Sequence, residues 1–262
     1  MSAYSNFLEC LNIDEFKINF IKNDIALTNY AKIHNKIWED WLEKYIKESY
    51  QENTNMIDIG ANIGTTSLIM SRYISSDSYI YSFEPVYHNI LDMNVKQNKL
   101  EDKIKTFNFG LSNKSEKLQS GFVDFSKQSN YGFTQISNLE KANEDSQLII
   151  NVETLDSFNI ENVSFIKIDV EGQEREVLEG SINTIYKFTP TILIEIWCTS
   201  KNAIKKYIKE ENLPEIKKQF DIFEFLFNLG YICFPVSPNT DDFLFIHYTK
   251  KELLCKIVDI IN

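Results

Sequence analysis

The sequence is poor in the residues that turn a chain. Only 8 glycines and 5 prolines occur among its 262 residues, so each glycine marks a backbone position with a special demand more often than in an average chain. The composition, 43% hydrophobic and 25% charged, is that of a globular protein with enough apolar material for one sizeable core. Disordered and fibrous folds are therefore excluded.

Cysteine pairs, a secretory signal and a long apolar run are also missing. The four cysteines are Cys10, Cys198, Cys233 and Cys255. They form no C-x-x-C pair, which argues against a structural zinc site and a disulfide framework. The N-terminus lacks a basic start, and the most apolar later segment, residues 222–234, is interrupted by Glu224 and Asn228. We therefore expect a cytoplasmic protein in a reducing environment, with no membrane insertion.

Positive charge is scarce as well. Lys and Arg number 27 against 38 Asp and Glu, which gives a net charge of −11. Such a chain repels nucleic acids and anionic membranes at long range. The three histidines are dispersed, and no group of carboxylates has the spacing of metal ligands. We expect neither a nucleic-acid partner nor a bound metal.

Short apolar strands alternate with helical segments from residue 55 onward. This alternation predicts an α/β fold with a mostly parallel sheet of seven strands and helices on both faces. The predicted strands are residues 56–59, 79–83, 104–109, 163–168, 191–197, 231–234 and 243–248. The predicted helices are residues 65–73, 86–98, 173–186 and 204–229. The expected organisation is an N-terminal appendage (1–52), a main domain (53–250) and a C-terminal tail helix (251–262).

Two segments fall outside the alternation. In the appendage, residues 16–30 predict a hairpin that turns at residues 22–24, and residues 35–50 predict a helix. The appendage is interpreted as a packing layer or, alternatively, as a lid or the contact surface of a homodimer. Residues 111–151 are too long for a simple connection, so we expect an inserted hairpin or a functional loop there.

A glycine turn follows the first predicted strand, at the sheet edge where open parallel sheets bind ligands. A dinucleotide fingerprint G-x-G-x-x-G aligned on Gly60 would need glycine at positions 62 and 65, which hold Asn62 and Thr65. NAD and FAD are therefore disfavoured. Asp58, at the strand tip, would repel a diphosphate and attract a positively charged ligand.

Glu84 ends the second predicted strand and follows Gly64 by 20 residues. An acidic residue at about this distance from the glycine turn binds the ribose diol of a nucleotide cofactor. S-adenosyl-L-methionine (S-adenosylmethionine below) combines a ribose with an ammonium and a sulfonium group. It is the cofactor that the pair of Asp58 and Glu84 predicts.

The sequence resembles the FkbM family of S-adenosylmethionine-dependent methyltransferases. The resemblance rests on I-D-I-G-A-N-I-G at residues 57–64, F-E-P at 83–85 and I-K-I-D-V-E-G at 166–172, with shorter matches at residues 110–112, 154–156 and 192–195. It implies a Rossmann-like class I methyltransferase fold. It also implies methyl transfer, usually to a hydroxyl oxygen of a sugar, a glycan or a small secondary metabolite.

The resemblance also implies a set of site residues. The implied cofactor site consists of Asp58, Gly60, Asn62, Gly64 and Glu84, with Asn108 near the adenine and Asp169 near the methionine end. Asp169 and Glu171 fall where related enzymes hold the methionine end of the cofactor or the acceptor. N-methylation remains an alternative. From another class of function, the alternative is a non-catalytic S-adenosylmethionine-binding partner or scaffold in a biosynthetic assembly.

A hydroxyl acceptor needs a nearby base to accept its proton. The candidates are Asp169, Glu171, Glu195 and His88, of which Asp169 and Glu171 are favoured because a carboxylate beside the sulfonium also balances its charge. Glu171 could instead cap the following helix, and His88 could be a surface histidine. Lys167, in a buried strand, needs a partner, and the prediction is Glu195.

Several aromatic side chains could stack on an acceptor ring or, alternatively, pack in the core. They are Trp197, Phe122, Phe125, Tyr131 and Phe133.

Overall fold

The fold is that of a computed structural model, which describes residues 5–121, 123–132, 136–137, 147–197, 213–237 and 240–261. The strands are β1 (Leu8–Ile13), β2 (Phe16–Ile21), β3 (Asn55–Ile59), β4 (Ile80–Phe83), β5 (Ile104–Phe107), β6 (Gly110–Leu111), β7 (Glu116–Gly121), β8 (Ile136–Ser137), β9 (Gln147–Glu153), β10 (Val163–Ile168), β11 (Thr191–Glu195), β12 (Tyr231–Pro235) and β13 (Asp242–His247). The helices are α1 (Leu27–His34), α2 (Glu43–Ser49), α3 (Thr65–Met70), α4 (His88–Gln97), α5 (Glu174–Glu179), α6 (Ile182–Phe188), α7 (Leu213–Asn228) and α8 (Lys251–Ile261).

A seven-stranded sheet in the order β12-β13-β11-β10-β3-β4-β5 forms the centre of the molecule. Strands β11, β10, β3, β4 and β5 run parallel, and β13 is antiparallel to both β11 and β12. All six residues of β10 are buried, as expected for a parallel strand covered on both faces. The α/β fold with seven strands and helices on both faces, predicted from the sequence, is confirmed.

A separate four-stranded sheet, in the order β6-β9-β7-β8, is built from residues 110–153. Strand β7 pairs antiparallel with β9 over six residue pairs, and β6 joins the opposite edge of β9 in parallel. Part of the region predicted as an insertion thus forms a second, smaller sheet. This sheet lies beside the end of β5, because β6 follows β5 directly in the chain.

The N-terminal hairpin lies earlier in the chain than predicted. Strands β1 and β2 pair antiparallel and turn at residues 14–15, not at residues 22–24. Helix α1 occupies the place of the expected second strand, because the Asp24 carboxylate accepts hydrogen bonds from the backbone N–H of Ala26 (2.9 Å) and Thr28 (3.3 Å). An aspartate in this position satisfies the free donors of a helix start.

Two predicted helices are shorter or divided. In place of the helix predicted at residues 35–50, a 3-10 turn at Asp40–Leu42 leads into α2. The helix predicted at residues 173–186 is split into α5 and α6 near Gly180, where a Cβ would lie 2.0 Å from the backbone oxygen of Ser112. Residues 204–212 of the helix predicted at 204–229 lie outside the described residues.

Polar side chains attach the appendage to the main domain. Arg72, which follows α3, forms ion pairs with Asp14 (3.1 Å), Glu15 (2.8 Å) and Glu43 (2.8 Å). The buried Asn94 of α4 accepts from the backbone N–H of Asn19 in β2 (2.7 Å) and donates to the Ile63 carbonyl in the glycine turn (2.8 Å). The position of the appendage is therefore coupled to the turn that the sequence predicts as a cofactor site.

No helix in the described part of the chain is long and apolar enough to cross a membrane. The described cysteines, Cys10, Cys233 and Cys255, are free thiols.

Candidate functional site

A cavity of about 350 Å³ opens at the carboxyl ends of β3, β4, β10 and β11. Its walls include the residues that follow these strands: Gly60–Asn62, Glu84–Tyr87, Asp169–Glu171 and Glu195. The strand order reverses between β3 and β10, and such a switch point is where open α/β sheets bind ligands. The volume is sufficient for a small-molecule site.

The glycine turn after β3 brings the backbone to the floor of this cavity. Gly60 has φ +79°, and a Cβ there would lie 1.7 Å from the backbone oxygen of Asp169, so only glycine allows the ends of β3 and β10 to approach this closely. Asn62 is also in the left-handed region, with φ 50°. Gly64 lies outside the cavity lining, where a Cβ would meet Leu91 at 2.6 Å.

Glu84 closes the β4 end of the cavity and is almost fully buried. Its Oε1 accepts hydrogen bonds from the backbone N–H of Val86 (2.7 Å) and Tyr87 (2.9 Å), and its Oε2 accepts one from Asn62 (2.9 Å). Burial raises the pKa of Glu84 to about 7, although these three donors oppose the shift. A carboxylate has about four acceptor positions, so one remains on Oε2 for a hydroxyl donor in the cavity.

Asp58 lies one layer behind the cavity. It is fully buried in β3 and accepts a hydrogen bond from the Ser67 hydroxyl, and it is not part of the cavity lining. Burial raises the pKa of this carboxyl, and the nearby Lys167 ammonium opposes the shift. Any attraction of Asp58 for a positive ligand therefore acts through space, across the glycine turn.

Lys167 and Asp169 form the central ion pair of the cavity. Their Nζ and Oδ2 atoms are 2.8 Å apart, and the lysine side chain is only 5% exposed. Burial lowers the pKa of Lys167, but the carboxylates of Asp169, Glu39 and Asp58 more than reverse this effect, so the pKa lies above its ordinary value. Lys167 is therefore a permanent positive charge.

The predicted ion pair of Lys167 with Glu195 is wrong. Parallel pairing of β10 with β11 sets Lys167 opposite Leu193 and Ile168 opposite Ile194, so Glu195 lies level with Asp169, two residues beyond the lysine. Glu195 is hydrogen-bonded to Asp169 instead. Burial, and then the negative charge of Asp169, raise the pKa of Glu195 well above its usual range, so Glu195 donates a proton in this bond.

Glu171 projects from the turn after β10, with φ 54°, and lines the cavity. Burial and the charge of Asp169 raise the pKa of Glu171 to about 8. The alternative interpretation, a cap of the following helix, is not observed, because that helix has Gln173 at its N-cap position and no side-chain cap bond. One oxygen from each of Asp169, Glu171 and Glu195 lies within 4.8 Å of the others, a spacing that could also hold a metal ion.

Of the remaining predicted residues, only some line the cavity. Asn108 is exposed and outside the cavity lining, while the next residue, Phe109, lines it. His88 begins α4 and is not part of the lining. Trp197 lines the cavity. Tyr131 is buried and donates its hydroxyl to the Asp124 carbonyl (2.7 Å).

The other aromatic residues predicted to stack on an acceptor or pack in the core are Phe125, Phe122 and Phe133. Phe125 lies 5.6 Å from the Tyr131 ring, edge to face, which favours the packing interpretation for both. Phe122 and Phe133 lie outside the described residues.

The N-terminal appendage supplies part of the cavity wall, which the sequence analysis did not assign. Its contributions are Ala26, Leu27, Trp38 and Glu39. The neighbouring Trp38 side chain lowers the pKa of the Glu39 carboxyl, against the larger opposite effect of burial. The local pattern of residues 26–39 does not show whether they form a cavity wall or a packing layer. The residues that Glu39 faces, Lys167 and Asp169, lie more than a hundred positions further along the chain.

Comparison with known proteins gives a consistent assignment. A family model described as "Methyltransferase FkbM domain" matches residues 58–233. A crystal structure of methyltransferase FkbM from Methylobacillus flagellatus aligns with 15% identity and a TM-score of 0.48, over 78% of this chain and 50% of that one. The chain thus spans half the length of that protein.

Two further solved structures extend the likeness. A Staphylococcus aureus protein, whose description suggests a caffeoyl-CoA O-methyltransferase, aligns with 14% identity and a TM-score of 0.53, over 85% of this chain and 90% of that one. An O-methyltransferase from Bacillus cereus, crystallised with S-adenosylhomocysteine (SAH), aligns with 12% identity and a TM-score of 0.44, over 85% of this chain and 96% of that one. The Staphylococcus aureus match shows a shared fold. Among curated proteins, none matches the sequence.

Proposed function

Because the family model covers about two thirds of its residues, this chain belongs to the FkbM methyltransferase family. From that premise we propose that it methylates a hydroxyl oxygen of a sugar, a glycan or a related secondary metabolite. The family makes it an S-adenosylmethionine-dependent methyltransferase. The acceptor and the atom methylated are the content of the proposal.

The residues of the cavity fit this cofactor. Glu84 keeps one acceptor position for a ribose hydroxyl, and the turn at Gly60 lines the cavity floor with backbone. Carboxylates at the other end, those of Asp169 and Glu171, suit its positive charges. When bound, S-adenosylmethionine supplies an electrophilic methyl group, which passes in line to an acceptor atom held about 3 Å away.

Glu171 supports hydroxyl chemistry as the base. A base works best when its pKa lies near the working pH, and the pKa of Glu171 is about 8. Asp169 is less suited, since it is held by Lys167 at 2.8 Å and by Glu195. Glu171 therefore accepts the hydroxyl proton, and Asp169 keeps the charge of the site balanced.

The indole rings of Trp38 and Trp197 support a sugar-like acceptor. Both line the cavity together with the carboxylates, and a sugar ring presents apolar C–H faces between hydroxyl groups. Aromatic rings bury such faces, while carboxylates accept hydrogen bonds from the hydroxyls. The coexistence of the two groups in one cavity is the observation that carries the proposal.

The test is turnover with methyl-labelled S-adenosylmethionine. The purified chain is incubated with a panel of monosaccharides, glycosides, their phosphate esters and polyhydroxylated metabolites, and the products are analysed by mass spectrometry. A labelled methyl ether is the expected product, and Glu171→Gln should reduce its formation about 10²–10⁴-fold. Transfer only to nitrogen or carbon atoms would contradict the proposal.

A further inference from the structure

Part of the cavity wall comes from outside the segment that the family model matches. Trp38 and Glu39 line the cavity, whereas the match begins at residue 58. The family therefore assigns no role to these two residues. Any contribution they make to the reaction is a property of this chain's own N-terminal segment.

Glu39 is held in place by its surroundings. Its backbone is in the left-handed region, with φ 63° and ψ 27°, a conformation that is uncommon for glutamate and is often found at functional sites. The Leu42 N–H donates to the Glu39 carbonyl at 2.9 Å, which holds the backbone of this residue. Its carboxyl lines the cavity wall and interacts electrostatically with Lys167 and Asp169.

The cavity lining carries an excess of negative groups. Its described acidic residues are Glu39, Glu84, Asp169, Glu171 and Glu195, and Lys167 is its single lysine or arginine. Lys167 is already paired with Asp169. The lining therefore offers no unpaired side-chain cation to a phosphate or a carboxylate.

The acidic groups fall at two ends of the cavity. Glu84 is bonded to three backbone N–H groups beside the glycine turn. Glu39, in contrast, interacts electrostatically with Lys167, Asp169 and Asp58. Under the proposed function, this end of the cavity receives the transferred methyl group and the acceptor, and it is called the acceptor end below. Burial raises the pKa of Glu39, and Lys167 opposes this shift.

We propose that Glu39 is a specificity-determining residue: its carboxylate, presented by the N-terminal segment, selects an acceptor that is neutral or positively charged beside the reacting hydroxyl and rejects one that carries phosphate or carboxylate there. A like charge brought into this partly desolvated site is repelled more strongly than in water. The inference rests on the proposed function, because it assumes that the Lys167 end receives the acceptor.

The test compares two nucleosides by calorimetry at pH 8.5. S-adenosylhomocysteine has no charge where the methyl group would be, whereas sinefungin carries an amino group at that place. Wild type should bind sinefungin more tightly than S-adenosylhomocysteine. Glu39→Gln should reduce this preference about tenfold, the effect of one nearby charge at an intermediate dielectric, and should leave the S-adenosylhomocysteine affinity unchanged.

Two variants control this measurement. Glu39→Asp keeps the charge and should keep most of the preference. Glu52→Gln removes an exposed carboxylate of the same appendage, outside the cavity, and should leave the preference unchanged. If Glu39→Gln does not fold, Glu39→Met, which has a similar length and no charge, replaces it. Equal affinities for both nucleosides in wild type, or an unchanged preference in the uncharged variant, would overturn the inference.

The acceptor panel supplies a second readout. Wild type should methylate a neutral sugar faster than its phosphate ester, and Glu39→Gln should narrow that difference. Faster turnover of the phosphate ester by wild type would overturn the inference. Methylation of amines alone would remove the proposed function but would leave the nucleoside comparison as it is, so the two failures are distinguishable.

Discussion

The affinity for S-adenosylhomocysteine should depend on pH through Glu84. Its three backbone hydrogen bonds leave one acceptor position on Oε2, and a ribose hydroxyl that donates there requires the ionised carboxylate. In the unliganded protein, burial raises the pKa of Glu84 to about 7. Binding must therefore release the proton that Glu84 holds below this pH.

The size of the effect follows from this value. With a pKa of about 7, Glu84 is ionised in about one eleventh of the molecules at pH 6 and in about ten elevenths at pH 8. The dissociation constant should therefore fall about tenfold from pH 6 to pH 8. Calorimetry at pH 6, in two buffers of different ionisation enthalpy, should show the release of about 0.9 proton per bound nucleoside.

Glu84→Gln removes the titrating group at nearly constant shape. The dissociation constant of this variant should be independent of pH between about 6 and 8, and about tenfold to a hundredfold higher at pH 8, because a hydrogen bond to a charged acceptor is lost. Glu171→Gln is the control, since Glu171 titrates in a similar range at the other end of the cavity. The reasoning is refuted if Glu84→Gln keeps the pH dependence and Glu171→Gln abolishes it.

Three further changes test the backbone, the ion pair and the base. Gly60→Ala should lower the free energy of unfolding in urea by about 3 kcal/mol more than Gly172→Ala does. Both glycines have positive φ, but only at Gly60 would the Cβ meet backbone atoms. Equal losses of stability in the two variants would contradict the predicted clash. Lys167→Met should lower the free energy of unfolding in guanidinium at pH 7 by about 3 kcal/mol, because it leaves the Asp169 carboxylate without its cation. A decrease below about 1 kcal/mol would show that the pair is not needed for stability. Glu171→Gln should keep S-adenosylhomocysteine affinity within about twofold in calorimetry while it slows turnover, and unchanged turnover would exclude Glu171 as the base.

The fold and the placement of the glycine turn and Glu84 at one cavity could be predicted because their signals are local. Strand β3, the glycine turn and the start of α3 are consecutive in the chain, and each requires its own residue types. Gly60 was predicted from the turn, and the structure adds the reason, which is the approach of the Asp169 carbonyl. Glu84 could be predicted because β4 is the next strand in both sequence and space.

The acceptor end could not be predicted because it depends on register and on distant contacts. Lys167 pairs with Asp169, which follows the same strand. The pairing of β10 with β11 sets Leu193 opposite the lysine and leaves Glu195 two residues further on, and the sequence alone does not fix that register. Glu39 reaches the site from the appendage, and no local pattern marks it. The hairpin was also misplaced, because strand β1 was not recognised as the partner of β2.

The acidic cluster around Asp169 is compatible with folding and, under the proposed function, with a cationic ligand. Burial raises the pKa of Glu171 and of Asp242, which lies opposite Glu195, to about 8. Between about pH 4.5 and 8 the folded chain therefore binds more protons at these groups than the unfolded chain, so their contribution to stability is lost as the pH rises. A positive ligand favours their ionised forms and by the same linkage binds more tightly as the pH rises. Under the proposed function, the protons that keep the unliganded cluster stable near neutral pH are the ones that a cationic cofactor would displace.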